Sequence, residues 1–278
     1  LENFQHVSSP GMCKLCTNHC QLTINAFTNG QKFISGNKCE RGAGKKLQSD
    51  LPNMVAYKNQ LFNSIPLKAG GRAKIGLPRA LNIYEMLPFW AELFHSLGCD
   101  IVLSKVSSRN IYMKGQNTVP SDTVCYPAKL VHGHIIDLLE KDLDAIFYPC
   151  MSYTFDEGIS DNCYNCPIVA YYPELIQANI PDIEKTHFLY PHLGIENHKL
   201  FAEQMYEEFK NIIPKLTKKE MEQATEKAFK TYHEYRETVR QEGSRVLKFA
   251  EENNYPVIIL ASRPYHIDPE INHGLDRL

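Results

Sequence analysis

Between Ala73 and Pro191 short apolar runs alternate with helical stretches, and this alternation restricts the fold more than any other feature of the 278-residue chain. "AKIGL" (Ala73–Leu77), "DIVLS" (Asp100–Ser104) and "DAIFYP" (Asp144–Pro149) read as strands, and "PIVAY" and "HFLYP" add two more. "LNIYEMLPFWAELFHSLG" has the period of an amphipathic helix ending near Gly98, with Pro88 predicting a kink or a break. "AKLVHGHIIDLLEK" forms the next helix. Short apolar strands separated by helices imply a largely parallel sheet covered on both faces. The expected fold is therefore α/β, a Rossmann-like parallel sheet flanked by helices over residues 70–195, with the first three strands as parallel neighbours.

Two further zones flank this core. Residues 1–45 are cysteine-rich and contain "QLTINAF", the turn "TNGQ" and "KFISG", which read as a hairpin around an Asn-Gly turn. Residues 196–278 begin as helix, "NHKLFAEQMYEEFKNII", and continue through a charged stretch from Thr217 to Asn253 that reads as one long helix with a solvated face. "YPVIILAS" then reads as a buried strand, and with "RPYHIDPEINHGLDRL" it is expected to open a second, truncated α/β unit.

Composition narrows the function. A formal net charge of −2 gives no nucleic-acid footprint. No apolar run approaches the ~20 residues that span a bilayer, and "LENFQHVSSPGMCKLC" has neither the basic start nor the apolar block of a signal peptide. The chain starts with Leu, so it reads as a piece of something longer. A cytoplasmic setting follows, where nine cysteines favour metal or redox roles over disulfides.

The cysteines fall into two sets. Cys13, Cys16, Cys20 and Cys39 have the spacing C-x2-C-x3-C-x18-C, suited to tetrahedral zinc or to a [4Fe–4S] cluster. This segment is similar to the N-terminal cluster region of molybdopterin oxidoreductases, including the basic residue and glycine of "CERG" after the last cysteine, although the gap before Cys39 is shorter. The second set is Cys125, Cys150, Cys163 and Cys166. Cys150 follows a predicted strand, at the edge where open α/β sheets bind ligands. Cys125 precedes a helix that Pro127 would start, where a thiolate gains from the helix N-terminus. "NCYNC" lies in the loop after Cys150 and reads as one or two ligands of a cluster. A thioredoxin-like redox pair is the alternative, disfavoured because a strand rather than a helix is expected after Pro167. Cys99, between a helix end and a strand, reads as a buried apolar residue. Arg79, Lys129, Arg263, Tyr265 and His266 are weaker site candidates, and the spacing of His132 and His134 argues against a joint metal site.

The stretches "IGLPRALNIYEMLPFW", "PSDTVCYPAKLVHGHI", "IFYPC", "NCYNCPIV" and "RPYHIDPEINHG" together resemble the cysteine-rich region of the large activase-like proteins associated with 2-hydroxyacyl-CoA dehydratases. In that family an ATPase is fused to a region related to the dehydratase subunits, in which cysteines from separate loops hold a cluster. The resemblance implies that Cys125 and Cys150 are ligands, with Cys163 or Cys166 as a third. It also implies an ATPase activase region elsewhere in the full-length chain and an electron acceptor protein as partners, since no nucleotide motif occurs here. Three functions are compatible with the residues. One is a non-catalytic iron–sulfur domain, with one or two [4Fe–4S] clusters, serving low-potential electron transfer. The second is a dehydratase- or reductase-like module that takes an acyl-CoA at an open cluster. The third is a zinc-stabilised interaction domain with no redox role.

Overall fold

The computed structural model describes residues 5–15, 18–44, 51–158 and 160–277. At the N-terminus β1 (His6–Met12), β2 (Gln21–Phe27) and β3 (Lys32–Ser35) form an antiparallel sheet in that order. The expected hairpin is β2–β3. Its turn closes with the Gly30 amide donating to the Phe27 carbonyl, and Gly30 takes φ +81°, which an L side chain would resist. β1 is a strand that the sequence does not announce, because "HVSSPGM" carries Pro10 and Gly11. A proline is tolerated in a strand that pairs on one side only, and β1 pairs with β2 alone.

After α1 (Met54–Ser64) comes the alternating unit. Its elements are β4 (Lys74–Leu77), α2 (Ile83–Ser96), β5 (Asp100–Leu103), α3 (Arg109–Gly115), α4 (Tyr126–Leu139), β6 (Ala145–Phe147), α5 (Pro167–Asn179) and β7 (His187–Leu189). The sheet order is β5-β4-β6-β7 and every pairing is parallel. The three strands expected to be neighbours are so, with β4 central. The chain leaves β4 toward β5 and returns past it to β6, so the winding direction reverses beside β4. Right-handed crossovers then place α2 on one face and α4 and α5 on the other.

α2 is apolar nearly all round because it is enclosed. Trp90 meets Phe147 of β6 edge-on at 4.9 Å. Phe89 meets Phe201 of α6 (His198–Phe209) and Phe229 of α7 (Lys218–Glu252) at 5.5 and 4.9 Å. The helix is not broken at Pro88, which lies inside it. α7 is the expected long helix, 35 residues opened by a capping box between Thr217 and Glu220.

Two expected strands are absent. "PIVAY" is the first turn and a half of α5: Pro167 stands at a helix start, where its missing N–H is not needed, and outweighs the β-branched residues after it. Val257–Ala261 forms no strand. Residues 255–263 are irregular and exposed, with Ile258 and Ile259 at 84% and 83% exposure, because no strand lies beside them to complete a ladder. The residues that follow pack against the first sheet. Tyr84 Oη and Ser107 Oγ donate to the buried Asp268 carboxylate. Asn59 Nδ2 donates to the Ile267 carbonyl at 2.9 Å, and Tyr126 Oη to Glu270 Oε1 of α8 (Pro269–Asn272) at 2.8 Å. Among the described residues no helix is long and apolar enough to cross a membrane.

Candidate functional site

The reversal of winding beside β4 opens a crevice at the carboxyl edge of the sheet, between the connection after β4 and the one after β6. Ligand sites in open α/β sheets gather at such a position. From the first connection come Leu81 and Asn82, which lead into α2. From the second comes Tyr148, whose amide donates to the Leu189 carbonyl. Next is Cys150, which extends the β6–β7 pairing by a bridge to His192. The chain then makes an excursion held by a Tyr153–Tyr164 bridge, by Thr154 N–H to the Cys163 carbonyl and by Asn165 N–H to the Ser152 carbonyl. It returns to the edge at Cys166.

Cys125 and Cys166 occupy equivalent positions. Each is the N-cap of a helix, α4 and α5 respectively, with a proline in the first helical turn and no side-chain capping bond. Their backbone angles are nearly the same, φ −61° with ψ 150° and φ −61° with ψ 146°. Both sulfurs are thus left at the positive ends of helices 14 and 13 residues long.

These two thiols and Cys150 all act electrostatically on one phenol. Tyr148 is fully buried and its hydroxyl has no hydrogen-bond partner among the described residues. Burial raises its pKa well above the usual value, and Tyr172, Cys150, Cys125 and Cys166 raise it further electrostatically. Cys150 itself is buried, which pushes its thiol up to about 11. Tyr265, raised first by burial, also feels Cys125 and Cys166. Cys163 acts electrostatically on Tyr153, whose phenol is raised to about 12 chiefly by its hydrogen bond with Tyr164.

At the N-terminal set, Cys13 and Cys20 are buried at the neck of the β1–β2 connection, where the Cys13 amide donates to the Cys20 carbonyl at 2.9 Å. Cys39 is half-buried, its carbonyl accepting from Asn37 Nδ2 at 3.0 Å. Cys16 lies outside the described residues. Among the described residues no three His, Cys, Asp or Glu side chains form a group placed to hold a metal ion.

The alternating sheet, its crevice and everything C-terminal to them coincide with a single family model, described as CoA enzyme activase uncharacterised domain (DUF2229), which matches residues 74–278. The chain belongs to this family. The activase-associated domain so defined contains all of the second cysteine set and excludes the first. Compared with the curated proteins and with the solved structures, the chain has no match.

Other side chains of the domain settle into structural roles. Cys99 is fully buried, its thiol pushed up to about 12, as expected of an apolar filler. His132 bridges Thr118 Oγ1 and Tyr172 Oη, and His134 bridges Ser104 and Ser107. Burial lowers the two imidazoles to about 4 and about 3. Arg79 donates to the Ser104 carbonyl and lies over the Phe62 ring. Lys129 donates to the Asp122 carbonyl.

Arg263 and Tyr265 do reach the crevice, where they join Asn82, Glu85 and Asn165 around Cys166. Nothing in the sequence singles out the last three or Tyr148. A larger cleft of about 490 Å³ lies elsewhere, between Lys14 and Arg41 of the N-terminal module and the Glu270–Asn272 turn, away from Tyr148 and the three thiols.

Proposed function

We propose that this activase-associated domain holds a [4Fe–4S] cluster in the switch-point crevice, with Cys125, Cys150 and Cys166 as thiolate ligands, and serves low-potential electron transfer. The supporting observation is that Cys125 and Cys166 stand at the N-caps of α4 and α5 and Cys150 follows β6, three positions that the topology brings to the carboxyl edge of one parallel sheet. Thiolates are the donors that iron–sulfur clusters take, and cluster potentials respond to burial and to hydrogen bonds at sulfur. To hold a cluster the three side chains would have to draw closer than they stand here. When bound, such a cluster supplies reversible one-electron redox chemistry.

The chain's own residues have distinct parts in this reading. Cys125 and Cys166 would supply their sulfurs from the N-caps of α4 and α5, and Cys150 from a buried position after β6. Tyr148 donates its idle hydroxyl toward sulfur. The partners called for are an ATPase activase region and an electron acceptor protein, and the N-terminal cysteines form a separate site for zinc or a second cluster.

Anaerobic reconstitution tests the reading on a chain with Cys13 and Cys20 changed to Ser, so that only the crevice can respond. That chain should bind about four irons with matching sulfide and become brown. Adding Cys150→Ser should remove most of the iron, and adding Cys99→Ser should not. A chain that stays colourless, or a Cys150 variant with undiminished iron, overturns the proposal.

A further inference from the structure

Asn82 stands at the N-cap of α2, where an asparagine ordinarily accepts a hydrogen bond from an amide of the first turn. Its side chain makes no such bond. The residue is 8% exposed, and among the described residues neither Nδ2 nor Oδ1 has a partner. A buried amide left unpaired is costly, and native structures seldom tolerate one without a use for it. Leu81, just before it, is held at φ +44°, in the left-handed region that a leucine rarely takes. Strain and unpaired polar groups occurring together point from structure to function.

Both residues line a cavity of about 40 Å³ whose wall also includes Glu85, Asn165, Arg263 and Cys166. One water needs roughly 10–15 Å³ on this measure, so the space holds about three waters or one small planar group. Arg263 offers donors. Glu85, whose carboxylate accepts among the described residues only from Tyr232 Oη at 3.3 Å, keeps acceptor capacity. Asn82 presents one donor and one acceptor side by side. A group complementary to Asn82 carries an acceptor and a donor in the same arrangement, as a carboxamide does. With a guanidinium and a carboxyl group on the same wall, a neutral ligand fits better than an anion.

We propose that this cavity binds a small carboxamide group, paired with Asn82 and presented to the Cys166 sulfur. The inference rests on the crevice being the functional site, though not on which cofactor the thiols hold.

Alkylation of metal-free protein under reducing, anaerobic conditions tests it. The Cys166 thiolate attacks the methylene carbon of iodoacetamide or iodoacetate. A C–S bond forms, the C–I bond breaks, iodide leaves and the thiol proton goes to solvent. Mass spectrometry reads each cysteine, and Cys163, outside the cavity wall, serves as the reference. The preference for iodoacetamide over iodoacetate should be about tenfold greater at Cys166 than at Cys163, the scale of one buried hydrogen bond.

Excess acetamide should slow labelling of Cys166 and leave Cys163 unchanged, whereas acetate should not. Asn82→Leu, checked for a native melting curve, should lose both effects. Equal preference at the two cysteines, protection by acetate equal to that by acetamide, or no protection at all, as for a cavity holding only ordered water, overturns the proposal. Iron content is read separately on the reconstituted protein with Cys13 and Cys20 changed to Ser. Failure there defeats the cluster alone, and failure of acetamide to protect defeats the pocket alone.

Discussion

Tyr148 buries a hydroxyl that no atom of the described residues receives, and that has opposite consequences for stability and for the site. Removing an unsatisfied buried polar group stabilises a fold by about 1 kcal/mol or more. Tyr148→Phe should therefore raise the urea midpoint of the metal-free protein. If the hydroxyl donates toward cluster sulfur, the same change should lower the reduction potential of the reconstituted protein while iron content stays constant. A variant that melts earlier than wild type would show that the hydroxyl has a partner in solution.

Asp137 presents the reverse case. Its side chain is 1% exposed, and burial alone would raise its pKa. The Lys105 amide, Lys141 and Lys114 outweigh burial and hold the carboxyl below its usual value. Such a group contributes stability above its unfolded pKa, lost as pH falls through the folded one. Asp137→Asn should cost about 3 kcal/mol in a urea melt at pH 7, because it leaves clustered lysines without their counter-charge.

At the scale of elements, α4 carries two more such dependencies. Its buried His132 and His134 are held neutral, with pKa values of about 4 and about 3. The unfolded chain protonates first, near pH 6.5. Their contribution is complete above that pH and is lost progressively as the solution is acidified. Each imidazole costs the fold about 1.4 kcal/mol for every pH step of one below that point, until its own folded value is reached. The urea midpoint should drop steeply between pH 7 and pH 5. A His132→Gln, His134→Gln protein, weaker at pH 7, should show a flatter slope over that interval. Between the histidines Gly133 passes against α3 so closely that an added Cβ would fall 1.8 Å from the Ile111 carbonyl oxygen. Backbone cannot yield as a side-chain tip does, and Gly133→Ala should cost about 2 kcal/mol or more in the same melt.

Much of this scale is legible in the sequence. "AKIGL", "DIVLS" and "DAIFYP" are apolar runs too short for helices, and they form adjacent parallel strands. "PIVAY" is equally apolar, and only the proline after Cys166 marks it as a helix start. "HVSSPGM" looks unlike a strand until β2 is beside it.

For the whole molecule, legibility follows whether a feature needs a partner distant in sequence. The α/β order, the long α7 and the placement of Cys125 and Cys150 at helix start and strand end depend on neighbouring residues, and they are readable. The excursion that carries Cys163 depends on the Tyr153–Tyr164 bridge, and the idle amide of Asn82 depends on what surrounds it. An asparagine at a helix start reads as a cap whether or not it caps. The same reasoning covers "YPVIILAS", whose composition is that of a strand and whose surroundings supply none.

The exposure of that segment has a consequence for chain cleavage. α7 carries the polypeptide out over about 52 Å, and the irregular residues 255–263 bring it back to Asp268, which Tyr84 and Ser107 hold at the sheet edge. A brief, dilute chymotrypsin digest should nick the chain at Tyr255 or Leu260 before any site in the sheet. The short C-terminal fragment should then co-elute with the large one on gel filtration and separate only in denaturant, because its attachment runs through buried side chains. Continuity of the backbone and integrity of the crevice are separate properties in this molecule.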